Sequence, residues 1–321
     1  MTGATTPTVS DAASGRSSIQ ARLGDVIFRR LALGAGVTIL VALAAVAIFL
    51  VAQSLPALIA DPADLRGEPE SFWHYVAPLA FGTVWAAAIA LVIAIPIAIG
   101  IALFISHYAP RRLAQPLGYI IDLLAAVPSV VYGLWGITVL APAAVPFYQW
   151  LTENMGWFPL FAPPASGTGR TVLTVAVVLA VMVLPIITAL CREVFVQTPV
   201  LHEEAAYALG ATRWEMIRIT VFPYARSGIV SASMLGLGRA LGETMAVAMV
   251  LSPSAIISLA ILTPENPSTI AANIALNFPE SAGLQVNALI ATGLILFIIT
   301  LVVNSIARAV VHRHERSLES R

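Results

Sequence analysis

Arg239 and Glu243 stand four residues apart within Gly238-Arg-Ala-Leu-Gly-Glu-Thr-Met-Ala-Val247, inside the apolar run 224–251. On one continuous helix they share a face. Each charge facing lipid would cost roughly 3 kcal/mol on insertion scales, so such groups face a protein interior or an aqueous path. Two readings fit the pair. It can be an intrahelical ion pair that locks packing, with Gly238 and Gly242 as a close-approach step and Gly236 and Ser233 a turn earlier. It can instead be an oxyanion site, because a guanidinium fork matches phosphate-like oxygens. The neighbouring carboxylate would then weaken retention and accept a hydrogen bond from a protonated anion. Hydrogen phosphate has such a donor and sulfate does not.

A second cluster lies in the polar stretch between two apolar runs. Thr198 can cap a helix whose first residue is Pro199, and Gly210 supplies a left-handed end to it. Thr212 caps a second helix, with Glu215 completing a capping box, and Pro223 turns the chain into the next run. The product is a short rigid element standing off a membrane.

The elements that position these residues follow from composition. Of 321 residues, 59% are hydrophobic and only 11% charged. Apolar runs near 31–55, 76–105, 118–141, 171–191, 224–251 and 285–310 each approach or exceed the ~20 residues that span a bilayer. The chain is therefore expected to be all-α and polytopic, with about six transmembrane helices. Expected divisions are a disordered tail over 1–25, a first span with its outer loop over 26–75, a core over 76–310, and a tail over 311–321. Arg16, Arg22, Arg29, Arg30, Arg111, Arg112, Arg192, Arg213, Arg218, Arg226, Arg308, Arg313, Arg316 and Arg321 fall on one side. Arg66 and Arg170 fall on the other, with Asp61, Asp64, Glu68, Glu70, Glu153, Glu265 and Glu280. This asymmetry puts both termini and the 199–220 element in the cytoplasm.

All seventeen basic residues are Arg. A Walker A loop needs Lys on the nucleotide phosphates, so ATP-driven work must come from a partner. The sequence holds no catalytic triad, no metal-ligand constellation and no nucleic-acid motif. Cys191 reads as a small core residue. Asp122 reads as a charge at the start of the third span, complementing the helix dipole. His312 and His314 sit in an Arg-rich tail suited to anionic headgroups. The outer segments 141–170 and 252–284 read either as packed loops or as a docking surface, with a short helix over 268–277.

Glu204-Ala-Ala, Gly210 and Pro223 resemble, in register, the EAA signature of ABC-importer permeases; Thr220 and Phe222 replace its usual Ile and Leu. The resemblance implies a type I importer permease fold with a coupling helix near 199–220. ATPase docking would then fall on Glu203, Glu204, Ala205, Ala206, Gly210 and Pro223. The decapeptide 238–247 and Pro128-Ser-Val-Val-Tyr-Gly-Leu134 resemble, more specifically, signatures of phosphate-specific permeases, with the Met245-Ala-Val ending closer to the PstC type. That resemblance covers roughly 75–310. It implies a phosphate path through Arg239, Glu243, Thr244, Ser129 and Tyr132 in a bacterial inner membrane. It also implies a second permease subunit of PstA type, a PstB-type ATPase dimer using ATP and Mg, and an external PstS-type phosphate-binding protein. This chain itself would be no enzyme and hold no cofactor. A permease for sulfate or molybdate, or an ATP-independent secondary transporter, would share the apolar runs. Only an ATPase-coupled permease needs a rigid cytoplasmic docking helix.

Overall fold

The computed structural model describes residues 23–60 and 71–319, with side chains described over 26–60 and 71–309. The expected N-terminal tail, apart from residues 23–25, lies outside the described residues, as do Asp61, Asp64, Arg66, Glu68, Glu70 and the side chains of His312 and His314. The described residues are helical apart from loops and a two-residue parallel bridge that pairs Pro253 with Asn266 and Ser254 with Pro267. Contacts divide the chain into residues 1–49 and 50–321. The described part of the first unit is one apolar helix, the beginning of α1 (Leu23–Ile59). Everything below concerns the second.

Among the described residues, five helical stretches are long and apolar enough to cross a membrane: Val26–Ile59, Phe72–Tyr108, Ser129–Met155, Val172–Val196 and Leu284–Ala309. The second is α2 (Phe72–Leu103) with a π turn at Phe104–Tyr108. α6 is Val172–Val196 and α12 is Leu284–Glu319, so helix continues well past the expected end of the core at 310.

The third expected run, 118–141, is not one helix. α3 (Arg111–Ala125) ends ahead of Pro128, and α4 (Ser129–Trp135) starts after it. Proline disfavours helical geometry in the residue before it, which explains the boundary. α3 exposes Leu113, Tyr119, Ile120, Leu123 and Leu124, as an interfacial helix does. α4 continues through a π turn, Gly136–Leu140, into α5 (Ala141–Met155). Residues 141–155, expected as outer loop, are therefore helix. The π turn widens the helix just ahead of Pro142 and relieves the clash of its ring with the preceding turn, so helix continues into this proline-containing segment. A π turn at Ile217–Val221 precedes Pro223 in the same way. Pro223 consequently does not turn the chain. α8 (Arg213–Met216), the π turn and α9 (Phe222–Leu241) form one continuous rod.

Small residues set the packing. Ala86, Ala90, Ala94, Ala98 and Ala102 recur every fourth residue on α2 and are all buried in the core that α2 shares with α6 and α9. Apolar side chains gain nothing by leaving lipid for one another, so close backbone approach and van der Waals contact hold such helices together. α9 meets α6 at Gly228, against Val194, and at Gly236, against Ile187. Gly238 faces open space, so the expected Gly238–Gly242 step makes no contact with α6; the stripe through Gly228 and Gly236 does.

At the Val172 end of α6 the loops interlock. Ser166 and Leu173 donate backbone hydrogen bonds to Leu262 and Ile261, and Ile261 donates to Leu160. The fully buried Asn266 amide accepts from the Val172 N–H (3.0 Å) and donates to the Arg170 carbonyl (3.0 Å). α11 (Ile270–Asn277) is capped by Thr269 and buries its first turn against α2, α10 (Met245–Val250) and α12. The Ile270 N–H donates to Thr83 of α2 at 2.9 Å. The segment expected as loop or docking surface is thus a packed cap. Gly82 is where the cap meets α2, because a Cβ there would run into the Pro267 and Ser268 carbonyls. Gly82→Val should cost about 1–3 kcal/mol through overpacking against backbone. We expect lower thermal stability of the detergent-purified protein; an unchanged melting temperature would mean that the cap does not rest on α2 as described.

Candidate functional site

The run that carries Arg239 and Glu243 is interrupted, and it is not among the five stretches long and apolar enough to span. α9 ends at Leu241, Gly242 to Thr244 are non-helical or a helix terminus, and α10 occupies only Met245–Val250. Arg239 and Glu243 therefore do not share one continuous helix face. Among the described residues, ion pairs join His107 to Glu203 and Arg192 to Asp122, and none joins Arg239 to Glu243. The intrahelical-pair reading falls on this geometry.

Each charge has its own setting. Glu243 is buried, at 9% exposure, and its Oε1 accepts the Ala246 N–H at 3.0 Å, in the first turn of α10. The carboxylate thus satisfies one orphan amide and complements the positive helix end. Thr244 donates its hydroxyl to the Gly242 carbonyl at 3.2 Å, closing the break. Arg239 lies in the last turn of α9, beside that helix's negative end. It is exposed on the surface of the chain and bonds no described side chain.

α4 lines the same region. Gly133 packs on Ala246 and Met249 of α10, and Gly136 on Val178 and Val250; any side chain at either glycine would collide. Tyr132, half-buried, lies within electrostatic range of Arg239 and donates its hydroxyl to the Leu124 carbonyl at 3.0 Å. That bond bridges the gap between α3 and α4. Ser129 begins α4, half-buried, and bonds neither charge. The two sequence patterns singled out above, 128–134 and 238–247, are thereby brought face to face.

At the far end of α10, Arg170 reaches in from the residue before the Thr171 cap of α6. Its guanidinium donates to the carbonyls of Leu251 (2.9 Å), Val250 (3.3 Å) and Met249 (3.4 Å). Sequence reasoning had counted Arg170 only as an outer charge. Its one signal was its rarity on that side.

The polar element forms at the Val196 end of α6. α7 (Val200–Ala208) follows Pro199, which is its N-cap; Thr198 is buried and makes no cap bond. Gly210 adopts φ +85° with open space around it. Thr212 and Glu215 form the expected capping box, with Glu215 Oε2 accepting from the Thr212 N–H at 2.8 Å and from its hydroxyl at 2.7 Å. These bonds hold the Glu215 carboxyl below its ordinary range. Glu204, Ala205 and Gly210 are exposed, whereas Ala206 is buried. α7 also exposes Leu201, Tyr207 and Leu209, apolar residues that water alone does not favour on a surface helix. Glu203 turns inward, 3.5 Å from His107 at the end of α2.

Beside α7 lies a cleft of about 690 Å³ lined by His107, Arg111, Arg192, Thr198 and Glu203 among others. Asp122 borders this region in the last turn of α3, not at a helix start, and pairs with Arg192 at 3.8 Å. A carboxylate at a helix's negative end is disfavoured by the dipole, and the guanidinium offsets it. Gly118 leaves the room that this guanidinium occupies.

The family described as the binding-protein-dependent transport system inner membrane component matches residues 94–316. The phosphate transport system permease protein PstC 2 of Mycobacterium tuberculosis is 45% identical over 300 residues, covering 90% of this chain and 92% of the relative. PstC of Mesorhizobium japonicum is 42% identical, covering 91% of each. Among solved structures, a bacterial ABC transporter involved in import of the polysaccharide alginate has a TM-score of 0.58 at 16% identity, covering 89% of this chain and 96% of that one. The MetNI methionine ABC transporter in an inward-facing conformation has a TM-score of 0.51 at 15% identity, covering 74% and 96%. Those two likenesses bear on the fold alone, which is that of a type I importer permease. With the family match spanning the core and PstC relatives aligned over nine-tenths of the chain, the protein belongs to the inner-membrane components of binding-protein-dependent transporters, within the PstC permease family.

Proposed function

We propose that this chain is the permease subunit of an ATP-driven importer of inorganic phosphate, and that it forms the translocation path together with a second permease subunit of PstA type. The observation that carries the reading is the unpaired Arg239 on the surface of the chain beside a broken membrane helix. Non-helical backbone and a free charge at membrane depth persist only against protein or an aqueous path. Arg239 would meet the anion, with Tyr132, Thr244 and Ser129 along the same wall. Glu243 would set how readily it leaves: Oε1 is engaged by Ala246, leaving Oε2 for a protonated anion. Hydrogen phosphate offers that proton; sulfate, the nearest competing cargo, does not.

The α7 element supports docking to a separate PstB-type ATPase dimer that uses ATP and Mg. Glu204, Ala205, Tyr207 and Leu209 present the surface; Glu203 ties it back to α2 through His107. Pro223 serves the continuous α8–α9 rod behind it. An external PstS-type protein delivers phosphate, and both termini lie in the cytoplasm on the arginine asymmetry. Lacking Lys, the chain has no Walker A loop of its own.

Arg239→Gln keeps hydrogen-bonding capacity and loses the charge. We expect radiolabelled phosphate uptake, normalised to assembled complex, to fall by about tenfold or more, the scale of one lost charge-assisted contact. Glu243→Gln should fall less and leave arsenate competition unchanged, since arsenate carries the same donor. Wild-type uptake in Arg239→Gln would remove it from the path. At the other end, Gly210→Val forces a β-branched residue into left-handed backbone at a cost on the order of 1 kcal/mol or more. It should release the ATPase from the purified complex while the chain still inserts, and Gly210→Asn should retain it. Full ATPase retention and uptake in Gly210→Val would refute the docking assignment. The isolated chain should show no ATP hydrolysis, and uptake in cells should persist when the proton gradient is collapsed and ATP maintained; loss under those conditions would favour a secondary transporter.

A further inference from the structure

α10 is six residues long, far below the length at which a helix holds itself together. Its stability rests on what satisfies its ends. One end holds the Glu243 carboxylate on the Ala246 N–H; the other presents the Met249, Val250 and Leu251 carbonyls to the Arg170 guanidinium. An acid at the start and a base at the finish are the two charges that a helix dipole favours. Arg suits this task because its planar fork spans neighbouring carbonyls, where a Lys ammonium is a single point.

The mount that carries Arg170 is rigid. Thr171 caps α6 by accepting the Thr174 N–H, and Tyr148 of α5 shares a hydrogen bond with the Thr174 hydroxyl at 2.8 Å. Gly169, at φ +70°, lets the chain lie against the Ala141 carbonyl where no side chain would fit. Asn266 holds the Arg170 carbonyl and, through the same amide, the Ser252 carbonyl just beyond α10 (3.2 Å). The guanidinium is thus fixed to α5, α6 and the cap at once, while its target is the short helix bearing the path carboxylate.

We propose that Arg170 is a positioning residue for phosphate transport: by gripping the C-terminal carbonyls of α10 it fixes the placement of Glu243 at the other end. This rests on the reading of Glu243 as a path residue given above. Arg170 itself touches no anion. It acts through α10, so its loss should change turnover and leave capture by the external binding protein intact.

The test uses the complete transporter, with uptake of radiolabelled phosphate normalised to assembled complex, and amide hydrogen exchange on the purified complex. Arg170→Gln should lower the maximal rate by about tenfold, the scale of a charge-assisted hydrogen-bond cluster, with the half-saturating phosphate concentration unchanged. Exchange should rise at the amides of 245–251 and not in the core of α6. Arg170→Lys should recover part of the rate. Combining Arg170→Gln with Glu243→Gln should lose no more than the worse single change, because both act at one helix. Multiplicative losses, a wild-type rate in Arg170→Gln, or unchanged exchange over 245–251 would each overturn the proposal. If Arg170→Gln does not assemble, Arg170→Lys is read by the same measurements, and failure of both to assemble would make Arg170 a folding residue instead. A wild-type rate in Glu243→Gln would sink the path reading separately, while raised α10 exchange with a lowered rate would still assign α10 to Arg170.

Discussion

Backbone at membrane depth must have every polar group satisfied by the protein itself or by water in a path. The break after α9 is where this chain meets that constraint most sharply. Residues 242–244 leave the regular helical ladder, and side chains engage several of the groups around the break: Glu243 holds an amide in the first turn of α10, Thr244 the Gly242 carbonyl, and Arg170 the last carbonyls. Arg239 differs: among the described residues it has no ion-pair or hydrogen-bond partner, and Tyr132 lies within electrostatic range. Everything else in the core reads as support for holding this interruption still. Gly133 and Gly136 bring α4 down on α10, and Gly236 sets α9 against α6.

The support is built from absence of bulk. The alanines of α2 and the small residues of α9 let three helices approach closely with few polar contacts between them, which suits a medium where hydrophobic burial supplies little drive. Such an interface resists volume change, since interiors packed to crystal density have no slack. Polar chemistry is then left to two regions at opposite ends of α6. One end carries Arg170, Thr171 and the interlocked cap; the other carries Arg192, its pairing with Asp122, and the cleft beside α7.

Much of this was legible in the residues, and the misses share a cause. The Thr212–Glu215 box and the left-handed Gly210 came out as expected because they depend on a handful of adjacent residues. Helical character of the apolar runs came out because length and composition suffice. What failed depended on neighbours distant in sequence or on proline. Pro223 was expected to turn the chain, yet a π turn absorbs it, as another does ahead of Pro142 in the segment expected as outer loop, whereas Pro128 divides the third run. The Arg239–Glu243 spacing looked like one helical turn, but no local rule announces a break at Gly242-Glu-Thr in an apolar stretch; packing of α4 and α11 on α10 determines it. Asp122 was placed at a helix start because the run seemed to begin there, and its partner Arg192 lies seventy residues on in sequence. Arg170 and its three carbonyls are about eighty residues apart, so no spacing could have paired them.

α6 constrains how motion could pass between the two ends. Its 25 residues make a rod of about 37 Å at the usual rise per residue. Its buried face is locked to α2 and α9 along most of that length. α7 is joined to it only by Gln197, Thr198 and Pro199, but Glu203 also ties α7 to the end of α2 through His107. A displacement of α7 would therefore load both α2 and α6, which are packed together along their length. Between Leu241 and Met245 the backbone is held by side-chain caps and packing in place of a continuous helical ladder. Of α4, α9 and α10, α10 is the shortest, and side chains meet both its ends. Rigid-body movement of the core would be felt there first, as a change in the distance between the Arg170 mount on α6 and the end of α9.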